Sequence, residues 1–378
     1  QLPITEIPVV DMGSKLDRAA SVREACLHTG FFYIKNHGVN NETVEKAFAQ
    51  VHALFALPLE EKLKMLQNEH NRGYTREKEE LLDPSTQREG DFKEGFYIGV
   101  EAEVDSELAK AFPLFGPNQW PDEPRVLPGF REEMTEYFDS LVSLGRRVSE
   151  MLAESLLLPS DYFLQHLTRP LAILRLLRYM PEVSDVENGK FGAGAHSDYG
   201  LITILATDGT PGLQVEVAPD TWIDVPHIEN TFVVNLGDML ARWTNGNYRS
   251  TRHRVVLKKA ELRHSMPFFF EPNHDTLVEC IPSICGSGGS YDHQSDQTTS
   301  HTHNDENAPN DENVCEMTGE EDLDNGKAAR GRVASADSSY PHRRSKLLVF
   351  PGNPGNRPQK PKFPPTLSGR YLMDKYHQ

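Results

Sequence analysis

Gly194-Ala195-His196-Ser197-Asp198-Tyr199-Gly200 sets an imidazole and a carboxylate two residues apart, and the apolar run Leu201 to Ala206 follows at once. On extended backbone, side chains at i and i+2 share a face, so His196 and Asp198 can reach one ion. A third ligand has to come from elsewhere in the chain. His253, in Ser250-Thr251-Arg252-His253-Arg254-Val255, opens a later strand-like segment and supplies it. Two imidazoles and one carboxylate leave coordination positions open, which suits an Fe(II) that must take a cosubstrate and O2 together. Taken alone, His-x-Asp is a weak signal in a chain with 15 His, and such a tripeptide is more often structural.

The rest of the pattern gives it weight. Arg263-His264-Ser265 follows His253 by ten residues and runs into Met266-Pro267-Phe268-Phe269-Phe270. Arg263 and Ser265 again share a strand face, where a guanidinium can grip a carboxylate with two parallel hydrogen bonds and a hydroxyl can add a third. In isolation, an Arg beside an aromatic strand is a plain surface charge.

Outward from these motifs, the texture from Leu171 onward is short apolar runs broken by Gly, Pro, Asn and Asp: Leu171 to Tyr179, Leu201 to Ala206, Gly212 to Val217, Phe232 to Leu236, His253 to Leu257 and Ser265 to Phe270. Short, closely spaced strands of this kind predict an antiparallel sandwich or jelly roll. Earlier, Ile7-Pro8-Val9-Val10-Asp11 and Phe31-Phe32-Tyr33-Ile34 read as buried strands, Glu42 to Leu57 as a helix stopped by Pro58, and Phe130 to Leu157 as a long helix with one apolar stripe. The fold class expected is mainly β with flanking helices, a jelly roll.

Length and composition narrow the function. A chain of 378 residues buries a large core, and one catalytic domain is expected. The formal charge of -17, from 39 Lys+Arg against 56 Asp+Glu, argues against nucleic acid and anionic membrane as partners. Its plain meaning is a well-solvated surface. The four cysteines, Cys26, Cys280, Cys285 and Cys315, are few and scattered, and are expected to be reduced thiols. The first residues show no basic stretch followed by an apolar one, and no run approaches the roughly 20 apolar residues of a membrane span, so a cytoplasmic monomer is expected.

Beyond the two motifs, several blocks resemble the 2-oxoglutarate- and iron-dependent oxygenases, the family of isopenicillin N synthase. Ile7-Pro8-Val9-Val10-Asp11 and Gly30-Phe31-Phe32-Tyr33-Ile34-Lys35-Asn36-His37-Gly38-Val39 resemble its N-terminal region. His196-Ser197-Asp198, Asn235-Leu236-Gly237-Asp238, Asn245-Gly246, Ser250-x-x-His253-Arg254-Val255 and Arg263-x-Ser265 resemble its catalytic core, in order. The resemblance implies a double-stranded β-helix carrying Fe(II) on His196, Asp198 and His253. It further implies 2-oxoglutarate with its far carboxylate on Arg263 and Ser265, O2 as cosubstrate, and hydroxylation or desaturation of a small organic molecule with release of succinate and CO2. An intact Asp198 argues against a halogenating relative. His37 and His301-Thr302-His303 are read as structural and loop residues. Two alternatives stay open: a ring-closing iron oxidase that does not use 2-oxoglutarate, and an inactive jelly roll that only binds.

On these grounds residues 1–120 form an N-terminal oxygenase region and 121–285 the jelly-roll core. Residues 286–362, dominated by Ser, Asp, Asn, Glu, His, Gly and Pro, form an insertion expected to be disordered, with only Leu347-Leu348-Val349-Phe350 able to dock; 363–378 return to the domain. One departure concerns the keto acid. Where many plant members have Asn-Tyr-Tyr-Pro, this chain has Leu177-Arg178-Tyr179-Met180-Pro181, so the hydroxyl of Tyr179 or a guanidinium from Arg175 or Arg178 is expected to replace the usual contact, with Tyr179 and Arg175 the named candidates. Alternation puts those two on one face and Arg178 on the other. Tyr74, Lys93, Phe96 and Phe270 are the candidates for the substrate wall.

Overall fold

The computed structural model describes residues 4–14, 17–122, 125–285 and 360–376, and the predicted insertion with Leu347-Leu348-Val349-Phe350, His301, His303 and Cys315 lies outside these. The strands are β1 (Val9–Asp11), β2 (Phe31–Lys35), β3 (Gly73–Thr75), β4 (Lys93–Gly99), β5 (Leu171–Tyr179), β6 (Ala193–His196), β7 (Ile202–Thr207), β8 (Leu213–Ala218), β9 (Thr221–Asp224), β10 (Phe232–Leu236), β11 (His253–Val255), β12 (Arg263–Glu271), β13 (Leu277–Val278) and β14 (Thr366–Leu367). A main sheet runs β1-β2-β10-β7-β12-β5-β4-β3, a smaller one runs β6-β11-β8-β9, and β13 pairs with β14. Apart from β1 with β2, every pair of strands in these sheets is antiparallel.

Helices α1 (Arg18–His28), α2 (Asn41–Ala56) and the long α5 (Phe130–Ser155) pack together, and α5 lies on β7 and β12 of the main sheet. Between α2 and α5 come α3 (Leu59–Leu63) and α4 (Glu107–Ala111); α6 (Asp238–Trp243), α7 (Pro282–Cys285) and α8 (Ser368–Tyr376) follow. α2 starts where the side chain of Asn40 accepts from the backbone N–H of Glu42 at 3.0 Å, and it stops before Pro58, which has no N–H to continue the ladder. The apolar stripe of α5 (Met134, Tyr137, Leu141, Leu144, Val148, Met151) is fully buried. Gly145 interrupts it because any Cβ there would stand 2.7 Å from the ring of Phe270 on β12.

Period-two alternation divides each strand of the main sheet between two environments. On β12, Met266, Phe268 and Phe270 join the principal core under the helices. Arg263, Ser265, Pro267 and Phe269 point the other way, into a cavity between the two sheets. The register Arg263↔Tyr179 and Phe269↔Ile173 sets β5 in step, so that Arg175, Leu177 and Tyr179 share the cavity face. Arg178 faces the helices, where its guanidinium meets Glu94 at 2.5 Å and the carbonyl of Phe55 at 2.7 Å.

The expectation of four reduced cysteines is corrected at one place. The turn of α7 brings Cys280 and Cys285 to a Cα separation of 6.3 Å and they form a disulfide, while Cys26 is a buried free thiol. Among the described residues no helix is long and apolar enough to cross a membrane.

Candidate active site

His196 ends β6, His253 begins β11, and the two residues are direct cross-strand partners, with ring centroids 4.3 Å apart. Each imidazole turns its Nδ1 back to the carbonyl two residues earlier: His196 to Gly194 at 2.8 Å, His253 to Thr251 at 3.2 Å. A carbonyl only accepts, so Nδ1 carries the proton and Nε2 presents its lone pair. Both Nε2 atoms face the same carboxylate oxygen, Oδ1 of Asp198, at 3.8 and 3.7 Å. Burial and the neighbouring His253 hold His196 below the ordinary histidine range, so it is neutral and able to ligate at pH 7.

The other oxygen of Asp198 is tied down. Oδ2 accepts from Nδ2 of Asn235 at 2.6 Å and from the hydroxyl of Thr203, which leaves Oδ1 aimed at the imidazoles. The segment Asn235-Leu236-Gly237-Asp238 thereby gains a physical meaning. Asn235 orients the carboxylate, and the backbone N–H groups of Asp238 and Met239 donate to the carbonyls of Asp198 and Gly200 at 2.9 and 3.1 Å. Gly237 permits the approach, since a Cβ there would sit 2.3 Å from the carbonyl oxygen of Gly200. From the far end of the chain, Tyr371 on α8 donates to Asp238 at 2.8 Å, fixing this turn from behind. Glu271, buried nearby, has its carboxyl pushed up to about 8 by burial and by the charge of Asp198.

Deeper in the cavity, Arg263 is 1% exposed. Its Nε donates to the carbonyl of Thr210 at 3.2 Å, its guanidinium lies 4.6 Å from the ring centre of Tyr179, and its Nη1 is buried without a hydrogen-bond partner. An orphaned cationic donor in a buried site carries a desolvation cost that an anion would relieve. Ser265 lies on the same face two residues on.

A second polar cluster lies on the same sheet, where β5 and β4 continue outward from β12. Lys93 pairs with Asp91 and, at 2.8 Å, with Glu80; Arg175 pairs with Glu80 at 2.5 Å, and Tyr97 donates to the same carboxylate at 2.9 Å. Burial alone would raise the Glu80 carboxyl, but the Arg175 and Lys93 cations outweigh it and hold it well below the ordinary range. Asp91 also accepts from the backbone N–H of Gly194 at 2.9 Å and from Gln87 at 2.7 Å, which joins this wall to the strand bearing His196. Leu82, Leu177, Leu205, Val255 and Phe269 supply apolar surface.

The structure thus brings His196, Asp198, His253, Arg263, Ser265, Tyr179, Arg175 and Lys93 around one cavity. Three expected wall residues lie elsewhere. Phe270 is one step out of phase with Ser265 and packs on α5, so that Phe269 takes the place assigned to it. Phe96 alternates with Lys93 to the helix side, where it meets Phe130 edge-on at 5.9 Å. Tyr74, cross-strand from Phe96, donates to Glu94 at 2.5 Å, and Lys62 pairs with the same carboxylate at 2.8 Å. His37 stands outside the site against Phe232, with ring centroids 4.5 Å apart. Sequence reasoning gave no role to Glu80, Thr203 or Asn235. Only Asn235 left a signal, as part of a family-like block.

The donor set fits iron and a keto acid: two imidazole nitrogens and a carboxylate oxygen converge beside an arginine whose buried Nη1 has no hydrogen-bond partner. Comparison with known proteins agrees. Residues 7–123 match the family model described as the N-terminal region of the non-haem dioxygenases in morphine synthesis, and residues 173–272 match the 2OG-Fe(II) oxygenase superfamily. A 2-oxoglutarate-Fe(II) type oxidoreductase of Emericella nidulans is 37% identical over 284 residues, covering 74% of this chain and 80% of that one. Kihadalactone A synthase of Citrus sinensis is 34% identical over 292 residues, covering 75% and 86%. Among solved structures, a full-length Neurospora crassa protein in complex with alpha-KG and thymine is similar with a TM-score of 0.64 at 33% identity, covering 73% of this chain and 88% of that one. With its double-stranded β-helix, two family matches and relatives that span most of its length, the chain belongs to the 2OG-Fe(II) oxygenases and is an oxidoreductase that works with Fe(II), 2-oxoglutarate and O2.

Proposed function

We propose that His196, Asp198 and His253 hold the iron, that Arg263 and Ser265 take the far carboxylate of 2-oxoglutarate, and that the enzyme hydroxylates or desaturates a small organic metabolite seated against Lys93, Arg175 and Phe269. The observation that carries this reading is the pair of Nε2 atoms facing Asp198 Oδ1 in the same cavity as the unpartnered Nη1 of Arg263. When bound, iron with 2-oxoglutarate and O2 supplies the oxidising power that breaks a C–H bond. The chain supplies the rest. Gly194 and Thr251 carbonyls fix the imidazole tautomers, Asn235 and Thr203 orient the carboxylate, and the ring of Tyr179 lies against the Arg263 guanidinium. Leu205, Leu177 and Phe269 exclude water from between them.

The substrate class follows from charge. Lys93 and Arg175 are already neutralised by Asp91 and Glu80, so this wall offers N–H donors without net positive charge. That favours an uncharged molecule with hydrogen-bond acceptors and an apolar body over a di- or tricarboxylate. The family match supports this reading over a ring-closing oxidase that dispenses with the keto acid and over an inactive binding protein. A screen of neutral and anionic small metabolites for compounds that stimulate 2-oxoglutarate turnover to succinate tests it: neutral acceptor-bearing compounds are expected among the hits, and stimulation by polyanions alone contradicts the substrate assignment.

A further inference from the structure

His52, Asp208 and His264 form a second group of two imidazoles and one carboxylate, and one ligand atom from each lies within 4.8 Å of the others. His264 sits between Arg263 and Ser265 but alternates to the opposite face of β12, toward α2, which carries His52. The two rings meet edge to face with centroids 4.4 Å apart. Asp208, just past β7, accepts at Oδ2 from the backbone N–H of His264 at 2.6 Å and faces the Nδ1 of that residue at 3.3 Å; its Oδ1 accepts from the backbone N–H of Thr210 at 2.9 Å. Backbone donors therefore fix the carboxylate, β12 fixes one imidazole, and a helix delivers the other.

We propose that this group is a second metal site, which takes a divalent ion of the zinc class. Two imidazoles select a borderline transition metal over Mg2+ or Ca2+, which prefer all-oxygen shells. The Asp208 carboxylate supplies the anionic ligand of the group and the two imidazoles its nitrogen ligands. A tetrahedral zinc with bonds of about 2.0–2.1 Å keeps its ligand atoms roughly 3.3 Å apart. His264 is buried, Asp208 half-buried and His52 exposed, so a small rotation of His52 closes that gap and solvent fills the fourth position. No atom of this group takes part in the iron site, although Thr210 links the two. Its N–H holds Asp208, and its carbonyl accepts from Nε of Arg263.

His52 is the diagnostic residue because it is exposed, whereas substituting His264 would disturb Arg263 and Ser265 directly. The full chain, stripped of metal, is equilibrated with Zn2+, passed through gel filtration and assayed for zinc per chain, for wild type, His52→Gln, His52→Cys, His253→Ala and the double variant His52→Gln/His253→Ala. His52→Gln is expected to hold one zinc fewer than wild type with unchanged thermal unfolding of the metal-free chain. His52→Cys, which restores a zinc ligand, is expected to hold the wild-type number. His253→Ala removes the ion of the iron site, and the double variant is expected to lose one more zinc than His253→Ala does, which separates the two sites. If His52→Gln retains the full zinc content of wild type, or the double variant retains that of His253→Ala, the second site does not exist.

Discussion

Asn235 donates from Nδ2 to Oδ2 of Asp198 at 2.6 Å, and this contact, made from β10 across to the turn after β6, decides which carboxylate oxygen faces the two imidazoles. Removing this donor leaves only the Thr203 hydroxyl to hold Oδ2. Asn235→Leu is therefore expected to weaken Fe(II) affinity about 10–100-fold while leaving His196, Asp198 and His253 in place. Anaerobic Fe(II) titration of the purified variant checks it, and an unchanged affinity would show that Thr203 alone suffices.

Arg263→Lys replaces a fork with a point charge in a buried site. A charge-assisted hydrogen bond is worth about 1.5–3 kcal/mol, so the apparent affinity for 2-oxoglutarate should fall roughly 10–150-fold. The readout is succinate formation against 2-oxoglutarate concentration. No change would place the anchor on another residue of the cavity.

Glu80 is the shared counter-ion of Lys93 and Arg175. Glu80→Gln leaves two nearly buried cations with less compensation, which at buried pairs costs about 3–5 kcal/mol. The folded carboxyl ionises well below the ordinary glutamate range, so this stability is present above about pH 4.3 and is lost as pH falls below it. Urea midpoints measured at pH 7 and at pH 4 should therefore differ more for wild type than for Glu80→Gln. Equal shifts for both proteins would contradict the assignment.

Phe269 and Phe270 separate function from stability one residue apart. Phe270→Ala empties space against Gly145 of α5 and is expected to cost about 3–5 kcal/mol in unfolding free energy. Phe269→Ala, on the cavity wall, should cost less stability and raise KM for the organic substrate. The opposite ranking would mean that the strand faces are assigned the wrong way round.

Most of the β architecture was legible in the sequence because local runs carried it. Leu171 to Tyr179 and Phe232 to Leu236 coincide with β5 and β10, and the long apolar stripe ends within two residues of α5. His196 and Asp198 were legible as a pair through their i, i+2 spacing, although the strand ends at His196 and Asp198 stands in the turn that follows. What alternation could not supply was an absolute direction for β4 and β5, because their burial is nearly complete on both faces. Phe270 was assignable even so, since a wall residue in phase with Arg263 and Ser265 has to be Phe269. Glu80 was out of reach for another reason. It contacts the site from a loop more than a hundred residues before His196, and no local periodicity marks that approach.

The insertion should be removable, as its two flanks are tied to neighbouring residues: Ile281 donates to the carbonyl of Trp243 at 2.9 Å, and Asn245 clasps the backbone of Lys360 and Lys362 at 2.9 and 2.6 Å. Loop closure costs only about 0.6 kcal/mol per doubling of length, so replacing Gly288 to Gln359 by a few Gly and Ser should leave the thermal midpoint equal or slightly higher. Loss of folding or of Fe(II) binding in the shortened chain would show that the segment is structural.

Anaerobic equilibrium binding of Fe(II) and 2-oxoglutarate to wild type and to His253→Ala tests the iron site most directly. Wild type is expected to take one Fe(II) in the cavity and to bind 2-oxoglutarate far more tightly with the metal than without it; His253→Ala is expected to lose both the iron and the metal-dependent gain in 2-oxoglutarate affinity. Full iron occupancy with undiminished succinate formation in His253→Ala would contradict the assignment of His196, Asp198 and His253 as the iron site.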